Sequence, residues 1–146
     1  MRERWETNEA GKVRDNLATQ SFMRTLGAEA VEVSPGRVVV ELAHRDDLCQ
    51  QNGFVHAGVV TAIADSACGY AAWTLMPAGH DVLSVEFKVN LLAPAIGDRF
   101  RAVATVVRSG RALTVCQAEV VALRAGHPDK QVALMQATMI ARPPGD

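Results

Sequence analysis

Residues 51–73, QNGFVHAGVVTAIADSACGYAAW, decide how this chain folds. The stretch is apolar almost throughout, yet it carries one carboxylate, Asp65, near its centre and a histidine, His56, at its entrance. On a helical wheel of about 3.6 residues per turn, Thr61, Ala62, Cys68, Gly69 and Ala72 share Asp65's side, and Val60, Ile63, Tyr70 and Thr74 fall opposite. The acid's face is built from small side chains. A helix apolar nearly all round is expected to be enclosed, so Asp65 must be hydrogen-bonded, have a raised pKa, or face a crevice. On residue type alone, small residues for close helix packing and an Asp65 that caps a neighbouring segment account for the pattern. An acid with such neighbours is equally the kind of group that active sites use.

The flanking patterns place this helix against a sheet. Residues 8–26 carry Val13, Leu17, Phe22 and Leu26 at helical spacing and end at Gly27, a C-cap. AEAVEVSPGRVVVELAHR alternates on either side of Ser34-Pro35-Gly36, which predicts a hairpin. Pro77 to His80 break the central helix. In SVEFKVNLLAPA, Val85, Phe87, Val89 and Leu91 alternate with Ser84, Glu86, Lys88 and Asn90, the pattern of a half-buried strand. RFRAVATVVR and ALTVCQAEVVALRAG follow as strands joined at Ser109-Gly110, and QVALMQATMIAR is the last. No βαβ alternation appears. The expectation is one α+β domain over residues 1–146, an antiparallel sheet with a helix against it and a helical extension at 1–26.

Composition removes other classes. With 146 residues, 49% hydrophobic and 21% charged, the chain has the make-up of an ordinary globular domain. A net charge of −1 gives no electrostatic case for nucleic acid or a membrane surface. Phe54 to Met76 is long enough to span a bilayer, but Asp65 would sit near its centre, so a buried helix is expected instead. The N-terminus is charged without an apolar core, unlike a secretory signal. Cys49, Cys68 and Cys116 form no CxxC pair and suit a reducing, cytoplasmic setting. His44, His80 and His127 are scattered, and no spacing suggests a metal site. GxSxG and Gly-rich phosphate loops are absent, and Ser66 points about 100° from Asp65, against an Asp–Ser dyad.

The loop before the helix turns the balance toward chemistry. Gln50, Gln51, Asn52 and Gly53 supply amides and a flexible backbone, and His56, Ala57 and Gly58 open the helix. Free N–H groups at a helix N-terminus can polarise a carbonyl. Ala57 and Asp65 lie eight positions apart, roughly 12 Å along the axis, so one helix cannot bring both to one reacting carbon. If the two act together, antiparallel helices of two subunits must meet, with Ala57 of one facing Asp65 of the other.

The order NG-x-x-H-A-G-V-V-x-x-x-A-D-S-A, then SVEFKVNLLAPA and RSGR before a strand, resembles the hotdog-fold acyl-CoA thioesterases, specifically the phenylacetic-acid-degradation (PaaI-like) branch. The resemblance runs from about Leu26 to Ile140. One departure is visible: the family usually has His-Gly-Gly, and Ala57 replaces the first glycine while keeping its N–H. The resemblance implies a curved sheet wrapped around the central helix, a dimer with a continuous sheet, and often a tetramer. By position, Asp65 matches the catalytic carboxylate, nucleophile or general base. Ala57 matches the N–H that polarises the carbonyl, Gln50 an amide near the carbonyl or water, and Ser84 a hydroxyl that orients water. The implied substrate is an acyl-CoA, with coenzyme A as part of the substrate and no cofactor or metal. Asn52, His56 and Gly58 are expected to border it, His56 structurally. Lys88, Asn90, Arg108 and Arg111 are candidates for its phosphates or pantetheine, since Arg pairs well with phosphate. The acyl pocket should depend on how Phe54, Phe87, Trp73 and the N-terminal helix close over it. Two other readings fit the same residues: an enoyl-thioester hydratase or dehydratase using His56 with Asp65, and a non-catalytic acyl-CoA binder.

Overall fold

A computed structural model describes residues 9–146; the first part of the expected helical extension lies outside the described residues. Helix α1 (Ala10–Thr19) buries Val13 and Leu17, and α2 (Ser21–Leu26) buries Met23 and Leu26. The sequence pattern predicted one helix here. The structure breaks it at Gln20, whose extended backbone (φ −72°, ψ 115°) restarts the turn count. The new phase turns Met23 inward and leaves Phe22, expected on the buried stripe, 57% exposed.

After the Gly27 cap, strands β1 (Glu29–Ser34) and β2 (Arg37–Ala43) form the expected hairpin, with Ser34 opposite Arg37. A 3-10 turn at Asp46–Leu48 leads through the loop to α3 (Ala57–Trp73). Strands β3 (Asp81–Leu91), β4 (Arg99–Ser109), β5 (Leu113–Leu123) and β6 (Lys130–Arg142) complete one antiparallel sheet in the order β1-β2-β4-β5-β6-β3. Gly110 turns β4 into β5, where its N–H donates to the Leu113 carbonyl. A Cβ there would lie 2.6 Å from that oxygen, so no larger residue fits without moving the backbone.

The sheet curls around α3, the hotdog arrangement. Ile63, Ala64, Ala67, Cys68 and Ala71 are fully buried in one cluster with Leu42, Phe100, Ala102, Cys116, Val120, Met135 and Met139. Alanines recur on both sides of this contact, and their short side chains let the helix sit close to the strands. Burying Ile63 alone contributes roughly 1.5–3 kcal/mol.

Strand β3 is a sheet edge, and its alternation slips. Ser84 pairs with Met139 and Glu86 with Thr138, so Val85 has no partner and bulges. Cross-strand partners share a face. Ser84, Phe87, Val89 and Leu91 therefore stand over the core residues Met139, Ala137, Met135 and Ala133, on the helix side. The regular pattern placed Ser84 with Glu86, Lys88 and Asn90; the bulge moves it to the opposite face.

Candidate functional site

Asp65 projects from the side of α3 that the sheet leaves uncovered. Ala62, Asp65, Ser66, Gly69 and Trp73 are only half-buried, whereas Ile63, Ala64, Ala67 and Cys68 are buried. In the single chain the helix is thus not enclosed, contrary to the expectation from its hydropathy, and its acid lies in a crevice. Ser84 Oγ donates a 2.7 Å hydrogen bond to Asp65 Oδ1, across the short distance that the β3 bulge creates. The same hydroxyl lies 3.4 Å from Met139 Sδ. One carboxylate oxygen is held and the other has no partner among the described residues, and Asp65 lines a cleft of about 170 Å³ with Ser66, Gly69, Tyr70, Trp73 and Ser84. No hydrogen bond joins Ser66 to Asp65 among the described residues.

The start of α3 forms a second site. His56 is the N-cap, and its Nδ1 accepts the Gly58 N–H at 2.8 Å. A Cβ on Gly58 would lie 3.0 Å from that nitrogen, which explains a glycine at this position. The Val59 N–H turns to the His56 carbonyl. Of the first three helical N–H groups only that of Ala57 has no partner among the described residues, and it points its share of the helix dipole outward. Ala57 lines a cavity of about 480 Å³ with Gln50, Phe54, His56, Leu91 and Val132. Gln50 is fixed twice: its N–H donates to the Phe54 carbonyl at 2.8 Å, and its side-chain oxygen accepts the Asn52 N–H.

The structure brings Asp65 and Ser84 together, and Ala57, Gln50 and His56 together, but the two groups occupy different clefts. Asn52 sits in the exposed loop and Gly58 gives its N–H to His56. Lys88 and Asn90 lie on the outer face of β3, exposed, opposite Gln136 and Leu134. Arg108 and Arg111 are exposed at the β4–β5 hairpin. Of the residues expected to shape the acyl pocket, Phe54 borders the Ala57 cavity and Trp73 the Asp65 cleft. Asn16 and Gln20, which the sequence reading did not single out, also wall the Asp65 cleft, and so does Tyr70, which the helical wheel placed opposite the acid but whose long side chain reaches round to it. No periodic signal marks the two amides, since they come from α1 and from the break after it.

The chain thus presents a curled antiparallel sheet around a helix with an unpartnered N–H at its start and a serine-held carboxylate two turns later. The chain matches the thioesterase superfamily model over residues 52–126, more than half of its length, and it belongs to that family. It is a hotdog-fold thioester hydrolase. A thioesterase family protein of Silicibacter pomeroyi is 49% identical, with a TM-score of 0.89, over 92% of this chain and 98% of that one. The 1,4-dihydroxy-2-naphthoyl-CoA hydrolase of Listeria monocytogenes is 27% identical over 68% of this chain and 80% of its own. The PaaI protein of the phenylacetic acid degradation operon of E. coli shares the fold at a TM-score of 0.78 and 19% identity, over 92% of this chain and 94% of that one.

Proposed function

We propose that this chain hydrolyses an acyl-CoA, in the manner of the PaaI-like branch, at a site completed by two subunits. The observation that carries the reading is the Asp65 carboxylate, held at one oxygen by Ser84 and open at the other. The free Ala57 N–H, about 12 Å away along the same helix, supplies the complementary half from a partner. The thioester carbonyl oxygen accepts the Ala57 N–H, with the Gln50 amide beside it. Asp65 of the other subunit takes a proton from water as the water oxygen bonds to the carbonyl carbon, or attacks that carbon itself to form an acyl anhydride, which water then opens to free acid and Asp65. The carbon–sulfur bond breaks, and coenzyme A leaves as the thiol with a proton from the site. The negative charge that builds on the carbonyl oxygen is what the helix N-terminus is placed to stabilise.

Coenzyme A enters only as part of the substrate, and the chemistry calls on no cofactor or metal. Arg108 and Arg111, exposed on their hairpin, are assigned to its phosphates, with Lys88 and Asn90 as further polar contacts. An interior reaction on a metabolite thioester fits a cytoplasmic setting. In the hydratase reading His56 would have to move the proton at Nε2, since its Nδ1 accepts the Gly58 N–H.

Asp65→Asn keeps the shape and the Ser84 contact but cannot act as base or nucleophile. Release of free thiol from acyl-CoA is expected to fall by roughly 10²–10⁴-fold. Turnover within a few-fold of the parent would discard this mechanism, and ligand binding without turnover in both proteins would favour the non-catalytic binder. Enoyl hydration without thiol release would favour the hydratase.

A further inference from the structure

The Asp65 cleft is walled on its far side by a hydrogen-bonded polar cluster that the reaction itself does not use. Gln20 Nε2 donates to Tyr70 Oη at 2.7 Å, and Tyr70 Oη donates to Asn16 Oδ1 at 2.8 Å. This chain of bonds ties the N-terminal helices to α3 along one side of the cleft. It also fixes the amides: Asn16 turns its carbonyl oxygen, and Gln20 its NH₂ group, toward the phenol. Asn16 and Gln20 are exposed at the edge of the cleft, and Asn16 Nδ2, a donor, and Gln20 Oε1, an acceptor, have no protein partner among the described residues. Burial lifts the Tyr70 phenol above its ordinary value and the Asp81 charge adds to this, against the hydrogen bond from Gln20, so the group stays a hydroxyl.

The charges of the cleft narrow what can bind. Asp65 and Asp81 both line it, and no lysine or arginine does. An anionic tail would meet two carboxylates without a counter-ion. A neutral hydroxyl, by contrast, accepts from one amide and donates to the other. Tyr70 is five positions beyond Asp65, about 7.5 Å along the axis and about 140° around it, a separation of the order of a six-carbon acyl chain. Gly69 lies between them and adds no side chain to the path.

We propose that Asn16, Gln20 and Tyr70 determine specificity: the acyl group of this chain's substrate carries a terminal hydroxyl that the two amides read at the far end of the Asp65 cleft. The proposal rests on the thioesterase reading and adds the chemistry of the acyl tail. Asn16 and Gln20 lie outside the residues matched by the family model, so the preference belongs to this chain's N-terminal helices rather than to the family's shared segment.

The test uses hexanoyl-, 6-hydroxyhexanoyl- and adipoyl-CoA with the full chain, Asn16→Ala/Gln20→Ala, and Tyr70→Phe. The parent is expected to prefer the hydroxylated tail over the plain one by about fivefold or more in kcat/KM, as a site built to bond a hydroxyl does, and to disfavour adipoyl-CoA. In the double variant and in Tyr70→Phe the hydroxyl-to-plain ratio should fall below about twofold, the loss expected of one or two hydrogen bonds, with the penalty on adipoyl-CoA retained. A merely structural role for the cluster would lower all three substrates together and leave the ratio unchanged, and that result overturns the proposal. So does a parent with no preference. Tyr70→Phe keeps the ring packed should the double variant melt early. If no thioester is cleaved at all, the hydrolase reading fails, and the same ratio is then measured as Kd for the matching non-hydrolysable thioethers.

Discussion

Ala57 is the first residue of α3, and the N–H it offers can be removed without changing the helix. Proline is well tolerated at a first helical position, because the missing N–H makes no intrahelical bond there. It asks only that the preceding residue be extended, and His56 already is, at φ −60° and ψ 139°. Ala57→Pro is therefore expected to fold with an unchanged melting temperature while kcat for thioester cleavage drops by about 10²–10³-fold, the usual loss of one oxyanion donor. A variant that keeps full kcat would remove Ala57 from the chemistry. An alanine at this position is compatible with the proposed mechanism, since a donor on the backbone survives an added methyl group. At Gly58 the same substitution would crowd the His56 ring that caps the helix. That difference between adjacent small residues is invisible in sequence, where both simply permit a tight helix start.

Among the elements, β3 shows where sequence patterning stops being a guide. From Ser84 to Leu91 its residues alternate without a flaw, and the strand and its place in an antiparallel sheet were legible from that alternation, though its first residues, Asp81 to Leu83, were not. The bulge at Val85 leaves no mark in the pattern, because Val85 is apolar like the inward positions around it. Its effect on the site is nevertheless decisive, for it is what turns Ser84 toward Asp65. Ser84→Ala is accordingly expected to lower kcat by roughly tenfold, in line with losing one hydrogen bond to a charged group, while Ser84→Thr recovers most of it. An unchanged kcat in the alanine variant would show that the carboxylate holds its position unaided. The break at Gln20 is a second case. Val13 and Leu17 share one face, but in a continuous helix Leu26 would lie about 140° from Val13, a phase shift that the single-helix reading passed over and that falls where Gln20 leaves the helix and bonds Tyr70. Legibility was best for α3, where length, capping residues and a lone acid agree.

For the molecule as a whole, the sheet is unfinished on its β3 side. Val85 is 53% exposed and Phe87 43% exposed on an eleven-residue edge, and unpaired edges of this length are commonly covered. A second copy adding its own β3 would continue the sheet, and the proposed cross-subunit site requires such a pairing or one equivalent to it. Phe87→Glu is expected to shift the chain to a monomer in sedimentation experiments and to abolish thioester cleavage with it. A fully active monomer would refute the shared site. The two clefts on α3 carry one more consequence. In a shared arrangement each helix serves two reaction centres, lending its N–H to one and its acid to the other. Asp65→Asn and Ala57→Pro homodimers would both be inert, yet hybrids formed by mixing the two would concentrate both lesions in one centre and leave the other intact. Activity should then reappear from two dead preparations after subunit exchange, with each hybrid reaching about half the turnover of the parent dimer.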